Sequence, residues 1–231
     1  MAKELIEINN ETQAADIQSY VLFSEASIFD YYLSPIAKQF YIKFPKADLI
    51  IADKPLKDVL KTIHDDTYSF AILLIGSDIR QDIQQYYPNI LQIPISSHPL
   101  KVLAKKNSKW LQPILKYNKT VRLEDVASLP LITVGWNSSA TSTITRLLKP
   151  CGTPNIINIA PNLAALSSFI DNDIGITLGI EKNSPIKYAE SVPLETDIPL
   201  TLDYTFFYNE KLSPTIANKL IQIVQESFSR I

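Results

Sequence analysis

The chain has 231 residues, of which 46% are hydrophobic and 20% charged, and its formal net charge is −2 at pH 7. This composition is typical of a globular domain, and the slightly acidic balance does not favour nucleic-acid binding by the chain itself. No apolar run approaches the roughly 20 residues of a membrane span, and no signal-peptide pattern opens the chain. Cys151 is the only cysteine and excludes an internal disulfide. We therefore expect a cytoplasmic protein without membrane contact.

The N-terminal part predicts a helix remnant, a strand and a helix. Residues 1–16 are polar and helix-permissive, as expected for the end of a linker helix, and 17–23 form a strand pattern. The following helix has two possible starts: near Ile28 with Ser27 as cap, or with Ser34 as cap and Pro35 as first residue. It ends near residue 44, because proline at 45 moves the preceding residue out of the helical region.

Alternating strands and helices follow. The run "ADLIIAD" at 47–53 predicts a strand, 55–66 a helix beginning at Pro55, and "SFAILLIG" at 69–76 a strand buried on both faces. This order is typical of an α/β fold.

The second half of the chain repeats the alternation. Two extended pieces at 90–108 are separated at 97–99, and the helix at 161–173 is expected to have Pro161 as its first residue. The last helix is expected to have Ser213 as cap and Pro214 as first residue. The remaining predicted elements are strands at 131–134, 155–160, 174–180 and 201–209 and a helix at 137–149.

These patterns predict two α/β lobes with a cleft between them. We expect 17–97 and 204–231 to form lobe I and 98–203 to form lobe II. Ligand sites commonly lie in such clefts.

No catalytic, metal or cofactor motif is found. The sequence lacks a GxGxxG fingerprint, a Walker loop and a GxSxG elbow. His64 is expected at a helix end and His98 in an exposed bend, and Cys151 has no histidine near it in any motif. The acid pairs 65–66 and 171–173 are typical of solvated helix termini. We expect no enzyme activity, no metal and no cofactor.

Two loops combine a strand end, hydroxyl side chains and a helix start, which is favourable for a carboxylate or other anion. A third strand end could bring Lys54 toward the same anion. Each Ser or Asn has an alternative role as a simple helix cap, and Trp136 has one as a core residue. The predicted effector-binding residues are Ser24, Ser27, Asp53, Lys54, Thr133, Gly135, Trp136, Asn137 and Ser138.

The order of these motifs resembles the effector-binding domain of LysR-type transcriptional regulators. The resemblance rests on "LSPIAKQFYIKFPKADLII" (33–51), "LQIPISSHPLKVLAKKNS", "VRLEDVASLPLITV" and "SSFIDNDIGITLGI", with Gly175 at the most regular glycine of the family. The chain departs from the pattern at Ser69, where the family usually has Asp, at Asp173, where it has Gly, and at 179–180, where it has Leu-Pro.

The resemblance implies a two-lobed α/β fold of the type II periplasmic-binding-protein kind, with a mixed sheet in each lobe. It implies a small effector in the interlobe cleft and a homodimer or tetramer. It also implies that the outward face of the helix at 28–44, with Tyr31, Lys38 and Tyr41, contacts a partner subunit. DNA binding would belong to an N-terminal helix-turn-helix that these residues do not include. A solute-binding protein and an enzyme on the same two-lobed architecture are the alternatives.

Overall fold

The computed structural model describes residues 18–24, 32–135, 138–181, 189–196 and 200–229. The predicted linker-helix remnant, the Ser27 cap and a helix start at Ile28 lie outside these ranges. The elements of the first half are β1 (Ser19–Ser24), α1 (Leu33–Lys43), β2 (Asp48–Ala52), α2 (Leu56–Asp65), β3 (Ser69–Gly76), α3 (Ser77–Tyr86), β4 (Ile90–Pro99) and β5 (Lys101–Lys105).

The second half begins with short elements around one longer helix. These are α4 (Gln112–Leu115), β6 (Val121–Arg122), α5 (Leu123–Ser128), β7 (Leu131–Val134), α6 (Ser139–Leu148) and a 3-10 turn (Lys149–Cys151). The remaining elements are β8 (Ile156–Ala160), α7 (Leu163–Asp171), β9 (Thr177–Gly179), β10 (Ala189–Glu195), β11 (Thr201–Asn209) and α8 (Pro214–Ser229). None of the helices in the described ranges is both long and apolar enough to cross a membrane.

The first sheet has five strands in the order β2-β1-β3-β11-β4. β1 runs parallel to β2 and β3, whereas β11 runs antiparallel to β3 and β4. All eight residues of β3 are buried, which is why its sequence is an almost unbroken apolar run rather than an alternating one. The final helix α8 returns to this sheet and packs against α1, with Lys43 donating to Gln222 at 3.0 Å.

The second sheet has four strands in the order β6-β10-β5-β9, and β7 and β8 form a parallel pair beside it. A bridge between Leu131 and Ile176 connects the pair to the sheet, and the Ile132 amide donates to the Ile176 carbonyl at 2.8 Å. Both sheets mix parallel and antiparallel strands. The predicted mixed α/β architecture is therefore confirmed, while the lobe boundaries at 97 and 204 stay a prediction.

Two chain crossings connect the sheets. β4 and β5 follow each other with only Leu100 between them, and β10 leads into β11 on the return. The Leu100 amide donates to the Leu200 carbonyl at 2.8 Å, so the two crossings are hydrogen-bonded to each other. The prediction of a break at 97–99 is wrong, because β11 pairs with β4 up to Pro99 and keeps it extended. His98 is consequently in a strand, with Nε2 3.0 Å from the Ser96 hydroxyl oxygen.

Two helices, α1 and α7, do not begin where the capping patterns of the sequence predict. Tyr32 precedes α1 and Pro35 is its third residue, so the alternative with Ser34 as cap is wrong. Proline is tolerated there because the amides of the first turn have no partner within the helix. The prediction of Pro161 as the first residue of α7 is also wrong. Asn162 caps that helix instead, its Oδ1 accepting the Ala165 amide at 2.9 Å.

Asp173 is not a solvated helix terminus as predicted. Its backbone has a φ of 55°, a left-handed conformation that asparagine and aspartate tolerate better than most residues. Its carboxylate accepts the Ser108 hydroxyl at 2.5 Å and the Lys109 amide at 3.1 Å. Asp173 therefore fits the turn and also ties it to the loop after β5.

We expect Gly175→Ala to destabilise the fold by about 1–3 kcal/mol, the usual cost of overpacking. A Cβ at Gly175 would lie 2.4 Å from the Pro130 carbonyl oxygen, a backbone atom that cannot move away without breaking the β7 bridge. Urea denaturation measures the free energy of unfolding.

The matched control is Gly179→Ala, where the added Cβ would meet only Leu103 Cδ1, at 3.2 Å. A side-chain methyl can shift, so this variant should lose clearly less stability. Equal losses for the two variants would contradict the close approach at Gly175.

Candidate functional site

The carboxyl ends of β1, β2 and β3 lie at one edge of the first sheet because the three strands are parallel. This edge carries Ser24, Asp53 and Gly76, and β11 places Leu202 opposite Gly76. Ligands in open α/β sheets bind outside the carboxyl ends of the strands. The edge is therefore where a ligand site is expected in lobe I.

Ser24 contributes a buried hydroxyl at this edge. Its side chain lies on the face of β1 that also carries Tyr20 and Leu22, and the residue is only 2% exposed. Its Oγ has no hydrogen-bond partner among the described residues. Because buried polar groups are almost always paired, an unpaired hydroxyl calls for a specific explanation.

Thr133 is the corresponding residue in lobe II. It is the third residue of β7 and is 1% exposed, and its Oγ1 also lacks a partner within the described part of the chain. Neighbouring hydroxyls are already paired, since Ser138 and Thr141 both donate to the Val134 carbonyl, at 2.7 and 2.8 Å. Among the described residues, each lobe therefore has one unpaired, buried hydroxyl at a predicted site residue.

The turn from β7 into α6 explains two further site predictions. Gly135 has a φ of 68°, a left-handed conformation that favours glycine. Ser138 is the helix cap, and its Oγ accepts the Thr141 amide at 3.0 Å. Ser138 therefore caps the helix, and its part in an effector site stays a prediction. Trp136 and Asn137, like Ser27 in lobe I, lie outside the described residues.

Helix α6 joins lobe II to lobe I, which the sequence analysis did not foresee. Ser139 donates to the Leu74 carbonyl at 2.8 Å, and the Gly76 amide donates to the Thr143 hydroxyl at 3.3 Å. A Cβ at Gly76 would lie 2.8 Å from Thr143 Cγ2, so the helix touches the backbone of β3. We call this contact of α6 with the end of β3 the seam.

Charged residues extend the seam along α6. The Arg146 guanidinium lies 3.3 Å from an Asp78 oxygen and 2.5 Å from an Asp82 oxygen, both on α3. All three side chains are about half exposed, so the pairs contribute modestly. The position of the seam matters more: it places the start of α6, the helix that follows β7, against the end of β3. The sequence does contain a signal for the seam. The hydroxyl residues at 139 and 143 are four positions apart, which puts them on one face of the helix.

The third strand end places Lys54 against an aromatic ring. Lys54 Nζ lies 5.1 Å from the centre of the Phe23 ring, in cation–π contact. Asp53 is exposed at the rim, where the protein on one side raises the pKa of its carboxyl by desolvation, and a backbone hydrogen bond from Lys54 offsets only part of this. The involvement of Asp53 and Lys54 in a site stays a prediction.

The other reactive side chains lie apart from this edge. His64 is in the last turn of α2 as predicted and contacts the Asn89 side-chain oxygen. Cys151 follows α6, is half-buried, and has its thiol pKa raised chiefly by burial and secondly by Glu124. Within the described ranges, no three His, Cys, Asp or Glu side chains come together as a metal ion would require.

No protein-family model matches the chain, and no curated protein matches it in sequence. Solved structures match over nearly the whole chain. An OxyR cysteine mutant from Corynebacterium glutamicum has a TM-score of 0.68 at 14% identity, covering 99% of this chain and 70% of that one. The C-terminal domain of a probable LysR family regulator from Rhodococcus has 0.65 at 12%, covering 92% and 100%. Full-length CbnR complexed with its target DNA has 0.64 at 13%, covering 98% and 78%.

At these identities the likeness shows the fold. The chain has the two-lobed fold of LysR-family regulatory domains, and the resemblance found in the sequence is confirmed at that level. The similar structures include LysR family transcription regulators and the C-terminal domain of one.

We expect Thr143→Val to weaken the seam by about 0.5–1.5 kcal/mol, the net value of one hydrogen bond. Valine keeps the shape of threonine but cannot accept the Gly76 amide. The free energy of unfolding, measured in urea, reports the loss. Thr145→Val is the matched control, because Thr145 is exposed on the same helix. If both substitutions have the same effect, the Gly76–Thr143 bond does not stabilise the seam.

Proposed function

We propose that this chain is a ligand-sensing regulatory domain that binds a small polar effector between its lobes. In this proposal, effector binding rearranges a dimer and so repositions a DNA-binding domain that these residues do not include. The protein would act in the cytoplasm. The fold supports the general role, and the details rest on the site itself.

The observation that carries the proposal is the pair of unpaired hydroxyls of Ser24 and Thr133. A buried hydroxyl without a partner costs about 1–3 kcal/mol, and here two of them lie at strand ends of different lobes. The seam joins the helix that follows β7 to β3, the parallel neighbour of β1, through Ser139 and Leu74. An effector that reached both hydroxyls would form the hydrogen bonds that they lack in the free protein. Its affinity would benefit because the free protein already carries the desolvation penalty of the two buried hydroxyls.

The prediction of an anionic effector has less support than the site. It relied on Lys54 and on free amides at the start of α6, yet Lys54 lies over Phe23 and the Thr141 amide is bonded to Ser138. The proposal is therefore limited to a small polar molecule. Nor do we propose thiol chemistry with hydrogen peroxide, which is bound in one of the similar OxyR structures. A thiol whose pKa is raised, as at Cys151, is a weak nucleophile.

The outward face of α1 supports the dimer. Ile36 and Phe40 of this helix are buried, whereas Lys38 is exposed, Tyr41 is 49% exposed and Ile42 is 62% exposed. Large apolar side chains exposed side by side on one helix are typical of an interaction surface. Tyr31, the third predicted interface residue, lies outside the described ranges.

The two alternatives have weaker support. A solute-binding protein would share the fold and the cleft but would have no use for an apolar patch on α1. An enzyme would require an acid–base or nucleophilic group at the strand ends. There the described residues offer hydroxyls and the rim carboxylate of Asp53.

A thermal-shift screen tests the effector site, comparing the wild-type chain with Ser24→Ala and Thr133→Val. A ligand at 100 times its dissociation constant stabilises by about 2.7 kcal/mol. Each substitution should reduce affinity by up to about tenfold, since a lost hydrogen bond is worth about 0.5–1.5 kcal/mol. Without ligand, both variants should be as stable as the wild type or more stable, because each removes an unpaired buried hydroxyl.

Ser142→Ala is the control for this screen. Ser142 is an exposed residue of α6 whose hydroxyl bonds only within the helix, to the Ser138 carbonyl. It should leave ligand binding unchanged. If Ser24→Ala and Thr133→Val instead destabilise the free protein and bind ligand normally, the two hydroxyls are structural and the proposed site is wrong.

Sedimentation analysis tests the dimer. Tyr41→Asp should weaken self-association at least about tenfold, because it buries a charge without a partner at the interface. Tyr117→Asp is the matched control: Tyr117 is 78% exposed and lies after α4 in the second half of the chain. Equal weakening by both variants, or by neither, would contradict an interface at α1.

A further inference from the structure

We propose that the segment between β5 and β6 carries a basic surface that binds the phosphate backbone of double-stranded DNA without reading its sequence. We call this surface the lysine face; it consists of Lys105, Lys106, Lys109, Lys116 and Lys119. The proposal goes beyond the effector site, but the choice of DNA as the polyanion rests on the proposed function.

The charge of the chain is unevenly distributed. Residues 101–122 contain six lysines and one arginine and no aspartate or glutamate. The other 209 residues contain 15 basic and 24 acidic residues, so their net charge is −9 against +7 for this segment. The slightly acidic overall balance therefore hides a strongly basic stretch, and clustered lysine and arginine are the electrostatic footprint of nucleic-acid binding.

The lysine face lacks counterions on the protein. All five of its lysines are exposed, and none forms an ion pair with a described residue. Lys101 and Arg122, at the ends of the segment, differ because each has a carboxylate partner. The carboxylates of Glu190 and Asp173 contact the loop after β5, but there they accept backbone amides. The five ammonium groups are therefore left to solvent or to a partner.

A run of helical turns places lysines on one side of this segment. The Gln112 amide donates to the Ser108 carbonyl and the Lys116 amide to the Gln112 carbonyl, both at 3.0 Å. Leu111 is fully buried and holds the opposite side against the core. Lys109 and Lys116 are seven residues apart, which is two helical turns, so they lie on the same side about 10 Å apart along the axis.

Each of these two lysines lies over the aromatic ring of the residue that follows it. Lys109 Nζ is 4.7 Å from the centre of the Trp110 ring, and Lys116 Nζ is 5.5 Å from the centre of the Tyr117 ring. Trp110 is itself held in place, since its Nε1 donates to the Asp173 carbonyl at 3.0 Å. The rings orient the ammonium groups but carry no charge, so the positive charge stays available.

The phosphates of duplex DNA fit this arrangement. Each strand carries one phosphate per roughly 3.4 Å of helix axis, so ammonium groups about 10 Å apart reach phosphates about three steps apart. Lysine binds phosphate as a point charge, and contacts to phosphates carry no sequence information. A regulatory domain tethered to a DNA-binding domain stays close to the same duplex, where the high effective concentration makes weak contacts useful.

Fluorescence anisotropy with a labelled duplex of about 20 base pairs and arbitrary sequence tests the lysine face, at about 20 to 200 mM salt. Saturable binding is expected, with a slope of log affinity against log salt of about −2.7 to −4.5, since each of three to five neutralised phosphates contributes about −0.9. Substituting Lys109, Lys116 and Lys119 together by glutamine should weaken binding at least about tenfold and make the slope shallower by about 2.7.

The matched control substitutes Lys57, Lys61 and Lys211 together by glutamine. These lysines are exposed on α2 and after β11, and the triple substitution changes the net charge by the same amount. It should keep the wild-type affinity for the duplex. Equal weakening by both triple variants, or no saturable binding of the wild type at about 20 mM salt, would overturn the lysine face.

Two further measurements separate the possible failures. Polyglutamate that displaces the labelled duplex as well as unlabelled duplex does would overturn DNA as the partner and indicate an acidic protein. Both triple variants should respond to ligand like the wild type in the thermal-shift screen, because Ser24 and Thr133 are unchanged. Failure of the effector site in that screen is therefore distinguishable from failure of the lysine face.

Discussion

The contact between the end of β3 and helix α6 is the constraint on which the rest of the structure depends. Gly76 has no room for a side chain: a Cβ there would lie 2.8 Å from Thr143 Cγ2 and 2.7 Å from Asp78 Oδ1. Backbone and helix can therefore approach closely enough for Ser139 and Thr143 to bond β3 directly. The relation between the lobes is set by this contact.

The buried hydroxyl residues fall into two groups: those that are hydrogen-bonded within the protein and those that have no described partner. Ser138, Ser139, Thr141 and Thr143 are engaged by the turn and the seam. Ser24 and Thr133 are equally buried but engaged by nothing described. A protein that had to maximise its own stability would replace them with alanine and valine. Two buried hydroxyls without a described partner are understandable if a ligand completes their bonding.

The sequence predicted the bounds of a strand correctly where the burial of apolar side chains alone determines them. β3 and β11 have the predicted bounds, because continuous apolar runs next to turns leave no other good choice. It failed where two local signals compete, as at Pro161 and Asn162, where the asparagine side chain and not the proline sets the start of α7. It also missed α3 and β10, whose polar residues carry little apolar periodicity.

The sequence indicated which strand ends belong to the candidate site, but not which side chains there bond to each other. Hydroxyls at Ser24 and Thr133 could be named from their positions, whereas the pairing of Ser138 with Thr141 and of Lys54 with Phe23 depends on side-chain placement. The seam joins residues more than 60 positions apart in the chain. No local pattern specifies such a contact.

The hydrogen bond between Leu100 and Leu200 has a mechanical consequence. It makes the two crossings a single two-stranded ribbon, and the Leu202–Gly76 pair places the seam only two residues further along. The described connections between the lobes therefore converge on one short joint. A lobe that is held at one short joint rotates about that joint and does not slide. A small rotation at the joint therefore produces the largest displacement at the far end of the lobe. In the proposed dimer, such leverage would convert a change of two hydrogen bonds into a movement at the partner subunit.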